Sequence, residues 1–575
     1  MSEADEPHAP LAHSDWPLRP WVLAGLLGLA GLGVDFAAEW GSNDWVPWRA
    51  ALTAALIFGP LAFAIALDPQ RWKGPLAFAG IVALVMGGVA WRVALASENH
   101  VDAPFWIAAG IVAIALALPL FQAGFHRLRW HTPYDETHFH VWTDAISVAG
   151  ALAFTGLSWL LLFLLSQLFV AIEIDLLKQL MEKSWFGWIF SGAAFGAALG
   201  VLRNQLKIIG TLQSVVLLVL SILALPLAIA IAVFLGAVVV SGPSVLWNAT
   251  DSATTALLSI AIGAYVLANA VLRDRDEDMV GGPVLKWSGY ALVLDILPLT
   301  VFAAISTGAR IDQHGLSPER LWALCSLIVA VAFGLAYFVD AVLGARGSWR
   351  DRLRASNLRL GLGTALFALF LALPILNFGA ISTSDQLARL ESGAISAKEF
   401  DFSALKWDFG AAGRKALDRL AKSSDAAIAK GARQAQLQET RPYRWAGERQ
   451  APESLSITWQ GGDDALRSSV EDYLLANRNM CGSEGPCAAI AAGTLPSGDR
   501  LVLVTGGSNP RYLGVAEGGD VTQYYARQGR LVEEPFEIAV DLDEPGREGP
   551  PEAEIRPFEG RQLYVDGKPV GEPFE

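Results

Sequence analysis

The chain has 575 residues, of which 53% are hydrophobic and only 17% charged, with a mean hydropathy of +0.38; an ordinary soluble domain carries about 25% charge. That composition excludes a collagen-like, disordered or disulfide-scaffold chain and argues for embedding in a lipid bilayer. A net charge of −14 leaves no basic patch to neutralise phosphates, so no nucleic-acid partner is expected.

The charge is unevenly spread. Residues 1–380 hold 47 charged side chains and residues 381–575 hold 53, the second density being normal for a soluble domain. The expected fold class is a polytopic α-helical membrane protein of about 11 transmembrane helices with a C-terminal soluble α+β domain. Residues 1–19 form a cytoplasmic tail, 20–380 the multi-span domain, and 381–575 a periplasmic α+β domain ending in an acidic segment. Apolar runs fall at 20–38, 46–67, 75–95, 103–124, 143–171, 186–201, 209–240, 253–272, 287–309, 319–343 and 358–380. The run at 209–240 is counted once, because Pro226 kinks such a helix without ending it. The run at 186–201 is short and rich in Gly and Ala, which makes it the weakest span.

Lys and Arg alternate from loop to loop. One set of loops carries Arg71 and Lys73, Arg127 and Arg129, Arg203 and Lys207, Arg273 and Arg275, then Arg346, Arg350, Arg352 and Arg354. The other carries Lys178 and Lys183, Arg310, and nothing around Trp247. The positive-inside rule makes the first set cytoplasmic. The N-terminus is then inside and, after an odd number of spans, residues 381–575 lie outside, which in a bacterial inner membrane is the periplasm. The first eighteen residues, with Glu3, Asp5 and Glu6, lack the basic start of a cleavable signal peptide, so the first apolar run is expected to act as an uncleaved anchor.

In the C-terminal domain, Ser384 precedes a periodic stretch through Leu387 and Leu390, and 411–437 is Ala-rich with helical charge spacing. A further amphipathic helix is expected over 465–478, with Leu466, Val470, Tyr473 and Leu474 on one face. Short β-type runs follow at 500–505, 521–526 and 535–540, and Asp566-Gly567 within 562–570 is a hairpin signal. Cys481 and Cys487, in Cys-Gly-Ser-Glu-Gly-Pro-Cys, form a candidate disulfide that a periplasmic setting permits; two free thiols are the alternative. Cys325, in the tenth run, reads as a small buried hydrophobe. With no His after residue 380, a zinc site in this domain is not expected.

A set of scattered residues carries a family resemblance. Trp142 stands at a helix start, Trp159-Leu160 and Phe169 lie in the following span, and Trp185-Phe186, Arg203, Leu246-Trp247, Asn269 and Asn357 follow. His314-Gly315-Leu316-Ser317-Pro318-Glu319-Arg320 is similar to a Tyr-Gly-Leu-Thr-Pro-x-Arg stretch. Beyond the last span come Ile381-Ser382, Gln386, Arg389-Leu390, Gly393, Phe400-Asp401-Phe402 and Leu405. From about residue 130 to about 420 the chain thereby resembles the bacterial inner-membrane domain-of-unknown-function family numbered 4153. It departs from that pattern at His314, where an aromatic is expected, and at Phe378, where a Pro is expected. The resemblance implies a multi-span membrane protein with a soluble extension; it brings no activity and no catalytic residue.

Four groups of residues have chemical interest. His126, His131, His138 and His140 share one predicted cytoplasmic loop with Asp135 and Glu136, and imidazoles with carboxylates suit a transition metal. No HExxH spacing exists, however, and an interfacial polar loop is the plainer reading. Asp295, inside the ninth run with Pro298 close by, is the intramembrane polar candidate, since a carboxylate within the bilayer is costly and by default functional. Asp35 and Asp340 lie near span ends, where interfacial hydration accounts for them. Asp541, Asp543 and Glu552 occupy positions 1, 3 and 12 of a calcium-loop pattern, but Pro545, Pro550 and Pro551 are foreign to it and a solvated acidic loop is the simpler account. The basic stretch 344–354 holds the topology and attracts anionic lipid, at roughly 1 kcal/mol per basic residue.

Gly-x-Ser-x-Gly elbows, phosphate-binding loops and dinucleotide fingerprints are missing from the sequence. The expectation is a non-enzymatic membrane anchor for a periplasmic interaction or sensing domain, without cofactor, whose partners are the bilayer and a periplasmic protein. The alternative is a transporter or channel for an ion or small solute using a polar site in the bundle. The acidity itself is local: residues 531–575 hold 13 acidic and 4 basic side chains, against 18 of each in 381–530.

Overall fold

A computed structural model describes residues 16–39, 46–96, 102–242, 253–274, 282–344, 349–438, 441, 457–477, 480, 487–505, 511–527, 530–532, 561–565 and 568–574. The chain divides into two compact units, Met1–Gln386 and Leu387–Glu575.

The first unit is helical. Its long helices are α1 (Arg19–Glu39), α2 (Pro47–Ala66), α3 (Lys73–Leu95) and α4 (Ala103–Gln122). A short α5 (Phe125–Leu128) leads to α6 (Tyr134–Val170), and a short α7 (Leu176–Met181) to α8 (Ser184–Asn204). There follow α9 (Leu206–Ser241), α10 (Ala253–Leu272), α11 (Pro283–His314), α12 (Pro318–Leu343) and α13 (Trp349–Ala372). Among the described residues, eleven helices are long and apolar enough to cross a membrane. The apolar run at 209–240 forms one continuous helix with Pro226 inside it. Large apolar side chains such as Leu84, Leu157, Val239 and Val240 lie on the outer faces, as suits helices whose solvent is lipid.

The last span differs from its apolar run. It begins at Trp349 and ends at Ala372, because helix geometry accommodates the arginines of its first turns while Pro374 stops it at the far end. A separate helix, α14 (Phe378–Glu391), then carries the chain into the second unit. Its start belongs to the first unit: Asp385 Oδ2 accepts from the Leu316 amide at 2.7 Å, and the Gln386 side chain donates to the carbonyls of His314 and Leu316. These bonds place the division at 386 rather than at 380.

The last carbonyls of a helix have no partner within it, and side-chain donors can satisfy them. Four arginines do this. Arg49 donates to the carbonyls of Ala37 and Ala38 at the end of α1, and Arg19 to that of Arg203 at the end of α8. Arg354 reaches Leu272 and Arg273 at the end of α10. Arg92, stacked 3.7 Å over Trp106, holds the carbonyls of Ala372 at the end of α13 and of Leu373 and Leu376 just past it. Each also places a positive charge at the negative end of a helix dipole.

Helices α1 and α8 run antiparallel in close contact. Gly192, Gly196 and Gly200 recur every four residues along α8, and a Cβ at Gly196 would stand 2.6 Å from the Leu23 carbonyl carbon and 2.9 Å from the Ala24 nitrogen. The Gly/Ala richness that weakens this span as an apolar run is what lets the two backbones approach. A separate core joins α9 to α13 through Ala228, Leu257, Leu292, Ile296, Leu299 and Tyr337.

In the second unit, α15 (Phe402–Trp407), α16 (Gly410–Leu420) and α17 (Ala426–Leu437) pack around Phe402, Leu405, Phe409 and Leu417. Beyond them a six-stranded sheet runs β1 (Ile457–Gln460), β2 (Cys487–Thr494), β3 (Arg500–Thr505), β4 (Arg511–Val515), β5 (Val521–Arg527) and β6 (Arg530–Val532) in that spatial order. The β1–β2 pair is parallel and the rest antiparallel. Parallel pairing demands a crossover, and α18 (Asp464–Ala476) supplies it. Its Leu466, Val470, Tyr473 and Leu474 cover one sheet face at Val502, Val504 and Leu513, while the alternate residues Leu501 and Leu503 face Tyr512 and Tyr524 on the other. A second sheet pairs β7 (Arg561–Val565) with β8 (Lys568–Phe574), Val565 opposite Lys568, on either side of Asp566-Gly567. The run expected as a strand at 535–540 lies outside the described residues.

Candidate functional site at the arginine-rich end of the bundle

Contacts within the first unit sort the helix ends into two sets. At one end Arg19 caps α8, Arg203 pairs with Asp144 of α6 at 2.9 Å, and Arg354 caps α10 from a helix tied to Tyr134 of α6 through Asn357. At the other, Ser184 Oγ donates to Asp35, Trp322 Nε1 donates to Asp102 at 2.8 Å, and Arg92 holds the last turn of α13. Among the described residues, the helix ends that carry Arg19, Arg203, Arg273 and Arg354 thus fall in one set.

At the arginine-rich end the fully buried Tyr337 and two half-buried asparagines form a ring of hydrogen bonds. Asn269 Nδ2 donates to Tyr337 Oη at 2.8 Å, Tyr337 Oη donates to Asn357 Oδ1 at 2.5 Å, and Asn357 Nδ2 donates to Asn269 Oδ1 at 2.8 Å. Asn357 Nδ2 also reaches Tyr134 Oη at 3.1 Å, and Asn269 Nδ2 the Tyr265 carbonyl at 2.9 Å. Four helices, α6, α10, α12 and α13, are tied at one point. Because each amide uses its donor and its acceptor, the ring is stable in an apolar interior.

Above this ring lies a cleft of about 600 Å³ lined by Trp130, Thr132, Tyr134, Asp351, Arg354, Ala355, Leu358 and Arg359. The last five positions follow the spacing of a single helical face. Arg354 donates to Asp351 Oδ1 at 3.1 Å while capping α10, so the guanidinium is fixed in direction.

The sequence candidates fall elsewhere, or fall apart. His131 ends a 3₁₀ turn and is exposed. His138 and His140 lie on α6 rather than in a loop, and two residues apart on a helix they face different ways. His138 Nε2 accepts from Trp142 Nε1 at 3.2 Å, and the His140 ring meets Phe139 edge-on. Among the described residues no group of three or more His, Cys, Asp or Glu side chains is placed to hold a metal ion. His126, outside the spans, has its imidazole pushed below the usual value, chiefly by burial and then by Arg127.

Asp295 lies well inside α11, half-buried, and its Oδ2 is buried without a hydrogen-bond partner. Asp340 accepts from Ser356 Oγ at 2.6 Å, which links α12 to α13. Cys325 is a free thiol. Cys487, buried at the start of β2, is disulfide-bonded; Cys481, Asp541, Asp543 and Glu552 lie outside the described residues.

Two features of the site escaped the sequence reading. Asn269 and Asn357 carry part of the family resemblance, yet nothing local assigns them to each other; polar amides within apolar runs were the available signal. The cleft was foreshadowed only by the basic stretch at 344–354. In comparisons with known proteins, no family model, no curated protein and no solved structure matches the chain.

Proposed function

We propose that the chain is a bacterial inner-membrane protein of the domain-of-unknown-function family numbered 4153, whose bundle anchors a periplasmic interaction or sensing domain rather than an enzyme. The observation that carries this reading is the sorting of helix ends. Arg19, Arg203, Arg273 and Arg354 gather at one end, which the positive-inside rule assigns to the cytoplasm. After eleven spans the chain leaves beside Arg92 and Leu316 at the opposite end. The disulfide at Cys487 supports an oxidising compartment for the second unit. Alkaline phosphatase fused after Glu575 is expected to be active and a fluorescent protein there dark. The reverse pattern overturns the topology. Periplasmic crosslinking is expected to capture a protein partner that is lost on truncation after Gln386; an unchanged deletion phenotype in that truncation overturns the anchoring role.

The transporter reading rests on one observation, the buried Oδ2 of Asp295 within a span. A carboxylate in that position is a site for a proton or cation. Under this reading Asp295→Asn abolishes transport in reconstituted vesicles, and full activity in that variant removes its support.

A further inference from the structure

The cleft at the arginine-rich end has a chemistry that the anchoring role does not use. Arg359 follows Arg354 by five residues on α13, about 7.5 Å deeper by the helical rise. It is exposed on the cleft wall, and no carboxylate lies within ion-pair distance of it among the described residues. Arg354 is level with the end of α10, whose last carbonyls it caps. The headgroup layer is expected at the ends of such long apolar helices, and the two guanidinium groups flank that level on α13. Trp130 and Tyr134 form the facing wall, and such rings favour the membrane interface.

The same face of α13 changes character with depth. Beyond Arg359 it presents Gly363, then Leu366 and Phe370, all exposed. A Cβ on Gly363 would meet nothing within 4 Å, so an open apolar strip continues the cleft toward the middle of the span. Basic groups and aromatic rings at the mouth, followed by an apolar strip, complement a molecule with an anionic head and a hydrocarbon tail. A volume of about 600 Å³ lies in the range of small-molecule sites. Arginine suits phosphate in particular, because its planar fork matches phosphate oxygens.

We propose that this cleft binds the phosphate of an anionic lipid headgroup between Arg354 and Arg359, with an acyl chain lying along Gly363, Leu366 and Phe370. A soluble phosphate compound shares the head chemistry but makes no use of the apolar strip, which is why the lipid is the assigned occupant. Asp351 and Arg354 offset each other as an ion pair, so the positive charge left to meet the anion is that of Arg359, with Arg354 fixing the position of the cleft mouth.

The test uses the full chain, stripped of lipid in detergent and titrated with fluorescent phosphatidylglycerol or phosphatidylcholine. The wild type is expected to retain phosphatidylglycerol about tenfold better, the ratio that one charged hydrogen bond supplies. Arg359→Gln removes the preference, Arg359→Lys keeps part of it, and Ala355→Trp, at an exposed position on the cleft wall, blocks it by filling the space. Unchanged thermal unfolding of these variants shows that the fold is intact. Equal retention of the two lipids by the wild type overturns the proposal, as does an unchanged preference in both Arg359→Gln and Ala355→Trp. Displacement of phosphatidylglycerol by excess inorganic phosphate or glycerol phosphate assigns the site to a soluble phosphate and overturns the lipid occupant.

Discussion

Gly196→Ala is the smallest change that tests how the first unit is assembled. A methyl group at Gly196 falls 2.6 Å from the Leu23 carbonyl carbon, about 0.8 Å short of the 3.4 Å at which ordinary contact begins. The carbonyl oxygen is closer still, and these are backbone atoms of α1 that no rotamer change can move aside. The helices must part, and a gap of roughly 0.5–1 Å forfeits a quarter to a half of the dispersion attraction along the seam. Overpacking of this kind costs about 3 kcal/mol at an unyielding site, while alanine gains about 1 kcal/mol over glycine within a helix. The expected net loss is about 2 kcal/mol. Gly25→Ala is the control, since it lies on α1 with nothing within 4 Å of the added Cβ; there only the propensity term remains, and the protein gains up to about 1 kcal/mol. Reversible unfolding in mixed detergent micelles, followed by tryptophan fluorescence, measures both variants. If Gly196→Ala proves as stable as Gly25→Ala, the close α1–α8 packing is wrong.

Three further perturbations probe other features. Asn357→Leu takes the partner from Asn269 Oδ1 and from the hydroxyl hydrogen of the buried Tyr337 and is expected to cost about 2–4 kcal/mol; in a double-mutant cycle with Asn269→Leu the losses should fall short of additive by at least about 0.5 kcal/mol, and strict additivity would contradict the ring. Arg92→Met removes the donor to the carbonyls of Ala372, Leu373 and Leu376. Its loss should show locally, as faster hydrogen exchange over the last turn of α13, and unchanged protection there would refute the cap. Asp463 caps α18 by accepting from the Leu466 amide at 2.8 Å. That bond, followed by the charge of Arg500, holds its carboxyl below the ordinary 3.8. A depressed value means that the stabilisation is present above pH 3.8 and lost as pH falls through the lowered value. Denaturation midpoints measured between about pH 5 and 2.5 should converge for wild type and Asp463→Asn at the acid end, and a constant difference would rule out this contribution.

The membrane-spanning helices were legible because partition between water and lipid is decided locally, by about 20 consecutive residues. The same locality misplaced the ends of the last span, where Arg350, Arg352 and Arg354 masked about two and a half helical turns that lie before the apolar run. In the second unit the run at 500–505 reads as a strand from its own β-branched and leucine content. Residues 487–494, Cys-Ala-Ala-Ile-Ala-Ala-Gly-Thr, do not; they become a strand through pairing with Ile457–Gln460 on one side and Arg500–Thr505 on the other.

The sequence by itself determined the number of helices long and apolar enough to cross a membrane among the described residues, the alternation of basic loops and the contrast between an apolar body and a charged extension. Tertiary structure alone decided that Asn269, Tyr337 and Asn357 close a ring, that Gly192, Gly196 and Gly200 meet α1 rather than lipid, and that Arg354 and Arg359 line a cleft with Trp130. The reason is physical. Burial in a bilayer depends on a segment's own transfer free energy, whereas a hydrogen-bonded ring or a close helix contact depends on partners up to 223 residues apart along the chain, whose meeting no local property encodes.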